Sequence, residues 1–91
     1  MIYLDSGATT LEKPPAVARA MAQAVGEMSS PGRGNYPASQ KAARTAYDCR
    51  EAAAELFHVP APEQVIFTCN ATHGLNIAIR TLVRPGCRVA V

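Results

Sequence analysis

The sequence predicts an α/β chain in which short buried strands alternate with helices, and three features carry that reading. The first is the stretch 65–84, VIFTCNATHGLNIAIRTLVR, which reads as strand, tight turn and helix. Val65, Ile66 and Phe67 suit a pleated, packed surface. Leu75, Ile79, Leu82 and Val83 recur at helical spacing over 71–84. The second is the turn signal Pro85-Gly86 followed by the apolar run Arg88-Val89-Ala90-Val91, which reads as another buried strand. The third is a pair of helical patterns earlier in the chain.

In order, Ile2-Tyr3-Leu4 is a short strand candidate and Asp5-Ser6-Gly7 a turn. A strand there needs a partner, and the stretch that follows it offers none. Lys13-Pro14-Pro15 sets a helix start, because proline is tolerated in a first turn. Val17, Met21, Val25 and Met28 make one apolar stripe, so this helix is amphipathic and stops near Met28. The run 29–37, SSPGRGNYP, is a loop. Arg33 sits between two of its glycines, and the loop either bends an arginine toward a ligand or is a plain surface connection. A long helix follows over about 38–58. Ala42, Ala46, Cys49, Ala53 and Leu56 form its narrow, alanine-rich face, against which a neighbour packs close. Val59-Pro60-Ala61-Pro62 ends it and forces extended backbone, leading into the strand at 64–68.

Composition bounds the function. Ninety-one residues make one small domain at most. Such a chain buries about 60–65% of its unfolded surface, a marginal core. The net charge of +2 is small, and the basic residues are scattered. Nothing argues for nucleic acid. No apolar run has membrane-spanning length and no signal-peptide pattern opens the chain, so the expectation is a cytoplasmic protein with no membrane partner. Cys49, Cys69 and Cys87 include no CxxC pair and, with His58 and His73, outline no metal site. They read as free, mostly buried thiols of a reducing compartment.

The turn at 70–74 carries the chemistry. Asn70 tolerates the left-handed backbone expected of a sharp turn. Ala71, Thr72, His73 and Gly74 form the first helical turn beyond it. Its free N–H groups, the helix dipole and the Thr72 hydroxyl converge on a spot that favours an anion, phosphate above all. The alternative is that Thr72 simply caps a helix.

Four segments in order resemble a known family. YLDSGATT (3–10) is similar to the opening of the cysteine desulfurases and their class V aminotransferase relatives, which use pyridoxal 5′-phosphate (PLP) on the fold-type I scaffold. SPGRGNYPAS resembles the loop before their long helix, TAYDCREAAAELF that helix, and VIFTCNATHGLNIAI their strand and phosphate-binding turn. The resemblance covers essentially the whole chain. It implies helices around an incomplete, mainly parallel sheet. Residues 1–13 would be an N-terminal arm, and 14–91 the start of the large cofactor-binding domain. The strands at 64–68 and 88–91 would share that sheet without being neighbours, later strands filling the space between them. The chain is therefore expected to be the N-terminal part of an enzyme of several hundred residues that works as a homodimer.

The resemblance also implies roles. Ala71 and Thr72 match the residues that hold the cofactor phosphate, flanked by Asn70 and His73. Ala8 and Thr9 match the loop on the substrate side. Asn76 and Arg50 match positions of structural use. Asn70 stands where many members have glycine, His73 where glutamate is common, and Ser6-Gly7 replaces a more usual Asn-Ala or Tyr-Ser. The lysine that holds PLP, the aspartate on its ring nitrogen, the stacking histidine and the sulfur-carrying cysteine all lie downstream in the family. Lys13, Lys41 and the three cysteines match none of them. The expectation is an enzyme in which PLP acts as electron sink while a cysteine thiolate takes sulfur from L-cysteine, leaving L-alanine. The 91 residues alone are expected to be inactive. Three alternatives stand beside it: another enzyme of the family (aminotransferase, epimerase or selenocysteine lyase), a small phosphate-binding module, and a structural protein without ligand.

Overall fold

A computed structural model describes residues 1–91 and holds three helices joined by irregular segments. Helix α1, Pro15–Glu27, begins on a proline whose missing N–H costs nothing in a first turn. Met28 turns extended and ends it. Helix α2, Pro37–Phe57, likewise begins on proline. It ends at His58, whose backbone is left-handed (φ 54°, ψ 39°) and whose N–H reaches back to the Ala54 and Glu55 carbonyls. Histidine is among the few residues other than glycine that visit this region with any frequency. A single 3-10 turn, Pro62–Gln64, follows, and helix α3 spans Ala71–Leu82.

The contact between α2 and the 3-10 turn is the main packing between elements. The covered stripe of α2 runs through Ala38, Ser39, Ala42, Ala46, Arg50, Ala53 and Ala54. Ala42, Ala46 and Ala53 are where the alanine pattern puts them. Cys49 and Leu56 are not: both are exposed, Arg50 is covered in place of the adjacent Cys49, and the covered stripe ends at Ala54. Ser39 is the most deeply buried residue, at 1% exposure, and its Oγ donates to the Ser30 carbonyl at 2.9 Å. The Ser29 N–H donates to the Ala38 carbonyl at 3.3 Å, and the Ser29 and Tyr36 hydroxyls share a hydrogen bond. These bonds knit the loop between α1 and α2. Lys41 and Glu27 pair across it, and Arg44 pairs with Asp48 at 2.7 Å along α2.

The expected sheet is absent. None of the segments 2–4, 64–68 and 88–91 forms a strand, so the α/β expectation, with helices around an incomplete mainly parallel sheet, is corrected to an all-helical chain. A strand completes its hydrogen bonds only against a partner strand, and here no two of the three segments pair. Val65 keeps extended dihedrals (φ −89°, ψ 114°) without a ladder. Val65 is half-buried, and Ile66, Phe67 and Thr68 beyond it are exposed.

The helices bury little. Ala54 and Ser39 are the two buried residues of the chain. The accessible surface is 8131 Å²; a compact monomer of this mass exposes about 5,100 Å². The radius of gyration is 17.3 Å, against about 12 Å for a packed domain of this length. The stripe Val17, Met21 and Val25 on α1 is exposed, as are Leu75, Ile79 and Leu82 on α3. Cys49, Cys69 and Cys87 are all exposed free thiols, which corrects their assignment to a core. No helix is long and apolar enough to cross a membrane.

Two outcomes follow. The 91-residue chain should self-associate and bind a hydrophobic dye, because its apolar stripes lie open; sedimentation showing a monomer with a sharp cooperative melt would contradict the open packing. Hydrogen bonds from Lys41 and then Gln23 hold the Glu27 carboxyl below the usual glutamate range. A depressed carboxylate pKa stabilises the fold above the unfolded-state value, and that contribution is lost as pH falls through the folded one. Paired fluorophores on α1 and α2 should therefore move apart on acidification below the ordinary glutamate range, by a small, salt-sensitive amount suited to an exposed pair. Glu27→Gln should remove that pH dependence.

Candidate anion-binding turn

The site begins with Asn70. Its backbone is extended (φ −167°, ψ 176°), not left-handed, and its side chain is the N-cap of α3. Asn70 Oδ1 accepts the His73 N–H at 2.8 Å and its carbonyl accepts the Gly74 N–H at 3.1 Å. The expectation of a left-handed turn at this residue is thereby corrected. An amide side chain that caps needs β-region backbone, so asparagine here serves through its oxygen. Thr72, the alternative cap, is left free of that duty.

His73 answers in the reverse direction. Its Nδ1 accepts the Cys69 N–H at 3.2 Å. This resembles a capping box, with imidazole in the place usually held by a carboxylate, except that the N–H it accepts belongs to Cys69, one residue before the N-cap. With Nδ1 accepting, the neutral ring carries its proton on Nε2. Thr68 closes the turn from the other side: its Oγ1 donates to the Asn70 carbonyl at 2.9 Å. A Cβ on Gly74 would lie 3.4 Å from that same Oγ1, an ordinary van der Waals contact, so Thr68 packs beside the helix start.

These bonds leave a defined remainder. Of the first four N–H groups of α3, those of His73 and Gly74 are taken. Those of Ala71 and Thr72 have no acceptor within the chain, and the Thr72 hydroxyl is also unbonded. Two amide donors and one hydroxyl at the positive end of a helix dipole are the donor set of an oxyanion.

Asn70, Thr72 and His73 line one cleft of about 480 Å³, together with Asn76, Ile77 and Arg80. No carboxylate lines it, and Arg80 forms no ion pair. Asn76 Nδ2 donates to the Thr72 carbonyl at 2.9 Å, which supports its structural reading. Arg80 was not anticipated from sequence. Its signal was available, since 73, 76–77 and 80 recur at helical spacing and share a face. The cleft is open to solvent. Ala8 and Thr9 do not line it. They lie on a separate turn of the N-terminal arm, where both N–H groups donate to the Asp5 carbonyl and Tyr3 Oη donates to the Thr9 carbonyl at 2.6 Å. No cluster of three histidine, cysteine or acidic side chains stands ready for a metal.

A family model for aminotransferase class-V matches residues 2–91. The chain therefore belongs to the class-V aminotransferase family. No curated protein and no solved structure shows a significant match to it.

The cap separates from the anion site by charge. Asn70→Ala should cost α3 about 1 kcal/mol and lower its helicity by circular dichroism. Asn70→Asp keeps a capping oxygen and should preserve helicity, yet its carboxylate should weaken phosphate binding at Ala71 and Thr72. Equal phosphate affinity for Asn70→Asp and the wild type would place the anion elsewhere.

Proposed function

We propose that this chain supplies the cofactor phosphate-binding turn of a PLP-dependent, cysteine desulfurase-like enzyme, which removes sulfur from L-cysteine to give L-alanine. One observation carries the reading: in a member of the class-V aminotransferase family, the turn leaves the Ala71 N–H, the Thr72 N–H and the Thr72 hydroxyl free at a helix N-terminus. That donor set fits a phosphate dianion, and the cleft beside it holds no acidic group to oppose one. Within the family, the run YLDSGATT resembles the desulfurase opening except at Ser6-Gly7, so an aminotransferase, an epimerase or a selenocysteine lyase is the alternative reading.

When bound, PLP supplies an electron sink for chemistry at an amino acid's α-carbon. The residues of this chain bind and orient it. Ala71 and Thr72 hold the phosphate. Asn70 keeps the helix start in shape so that their donors stay aimed outward, and His73 presents Nε2–H on the cleft side. Ala8 and Thr9 belong to the arm that approaches the substrate. Neither lysine serves the cofactor: Lys13 Nζ donates to the Thr10 carbonyl and Lys41 pairs with Glu27, and neither lines the cleft. The role of these residues is therefore binding rather than turnover. The working enzyme is proposed to be a cytoplasmic homodimer.

Pyridoxine 5′-phosphate is the appropriate probe, because it lacks the aldehyde that would react with Lys13, Lys41 or the N-terminus. Its titration should shift the amide resonances of Ala71 and Thr72, and pyridoxine without phosphate should not. One hydrogen bond to a charged group is worth about 1.5–3 kcal/mol, and the open cleft places this one at the low end. Thr72→Ala should therefore raise the Kd about tenfold, with native circular dichroism. Unshifted amides at Ala71 and Thr72, or equal affinity for Thr72→Ala, would reduce the turn to a plain helix cap.

A further inference from the structure

Arg50 lies on the covered face of α2, far in sequence from the anion-binding turn. Its guanidinium carbon sits 5.2 Å from the centroid of the Phe67 ring, within the range of a cation–π contact. Phe67 precedes the N-cap Asn70 by three residues. Arg50 has no carboxylate partner: the ion pairs of the chain are Lys41–Glu27 and Arg44–Asp48. Its Nε is buried without an acceptor. An arginine that forgoes both water and a carboxylate at Nε is held by something else, and the Phe67 ring is the group in place to do so.

The remaining geometry shows what this contact can control. Helix α2 packs on the 3-10 turn, whereas no comparable packing ties α3 to any other element. After Val65, Ile66 is exposed and Phe67 lies beneath Arg50. Thr68 then meets Gly74 and bonds the Asn70 carbonyl. Between the 3-10 turn packed on α2 and the free donors of Ala71 and Thr72, the Arg50–Phe67 contact ties the intervening segment back to α2.

We propose that Arg50 is a positioning residue for the anion-binding turn, acting through the face of Phe67. This rests on the reading of that turn as a phosphate site, and it adds a determinant of orientation in place of a merely structural arginine. Guanidinium is a flat cation, and its plane can lie on the ring while its charge stays unpaired. A point-charge ammonium fixes direction less well, so lysine is not an equivalent substitute.

The test uses the 91-residue chain and its amide spectra. In the wild type the Phe67 ring current should displace the Arg50 Hδ and Hε resonances upfield. Arg50→Ala and Phe67→Leu should each remove that displacement and move the amides of Cys69, Asn70, Ala71, Thr72 and His73. Each should weaken pyridoxine 5′-phosphate binding about two- to fivefold, as expected of a partly exposed cation–π contact. The double variant should lose no more than either single one. Phe67→Trp, which keeps a π face, should retain the wild-type amide positions, and Arg50→Lys should not restore them. Unmoved turn amides in Arg50→Ala and Phe67→Leu, or losses that add in the double variant, would overturn the proposal. If the turn amides move while the wild type fails to bind the probe, the positioning role stands and the phosphate reading falls. If the probe binds and the amides do not move, the reverse holds.

Discussion

A helix satisfies its backbone hydrogen bonds within itself, and a strand cannot. That constraint organises this chain. Of 48 backbone hydrogen bonds, 34 lie inside the helices, and the others close turns, caps and loops. The segments richest in strand-forming residues have no ladder to join, so they stay irregular and largely exposed. With no sheet, the apolar stripes of α1 and α3 have nothing to lie against. The shortage of buried surface therefore follows from unpaired strands rather than from a lack of apolar residues.

What order exists between elements is built from small side chains and a few polar ties. The alanine face of α2 lets the 3-10 turn approach closely, and Ser39 fixes the loop before it through the Ser30 carbonyl. Small contacts contribute little apolar area, so single polar interactions weigh more than they would in a packed domain. Leaving a buried donor without an acceptor costs about 1–3 kcal/mol. A cation over an aromatic face returns about 0.5–2 kcal/mol. The two are of the same size, so Arg50 on Phe67 acts more as a device of orientation than as a source of net stability.

The start of α3 shows how capping is divided among neighbours and which donors it leaves free. Asn70 Oδ1 accepts the His73 N–H, His73 Nδ1 accepts the Cys69 N–H, and Thr68 Oγ1 ties the preceding segment to the Asn70 carbonyl. Each satisfies a group that would otherwise compete for the ligand or fray. The donors that remain, on Ala71 and Thr72, are adjacent and face one spot. Imidazole in place of a carboxylate completes the cap without placing a negative charge beside the anion. Arg80, further along the same face, adds positive potential to the cleft.

The sequence by itself determined the local matters. Proline at the start of α1, the apolar spacing of α3, the glycine of the Pro85-Gly86 turn (φ 89°) and the donor-rich start at Ala71 and Thr72 were all legible, because each depends on neighbours within one or two helical turns. The family was legible for a related reason, since its motifs are short and contiguous. The conformation of Asn70 was not legible: both left-handed and extended backbone suit asparagine, and the choice depends on whether its oxygen finds the His73 N–H. Nor was the fate of the strand-like segments or of the three cysteines. Val65, Phe67 and Val89 have strand propensity, but a strand exists only where a second one lies beside it, and a thiol is buried only where a core exists. The tertiary structure alone decided those, and it alone set Arg50 over Phe67, because that contact joins residues no local pattern relates.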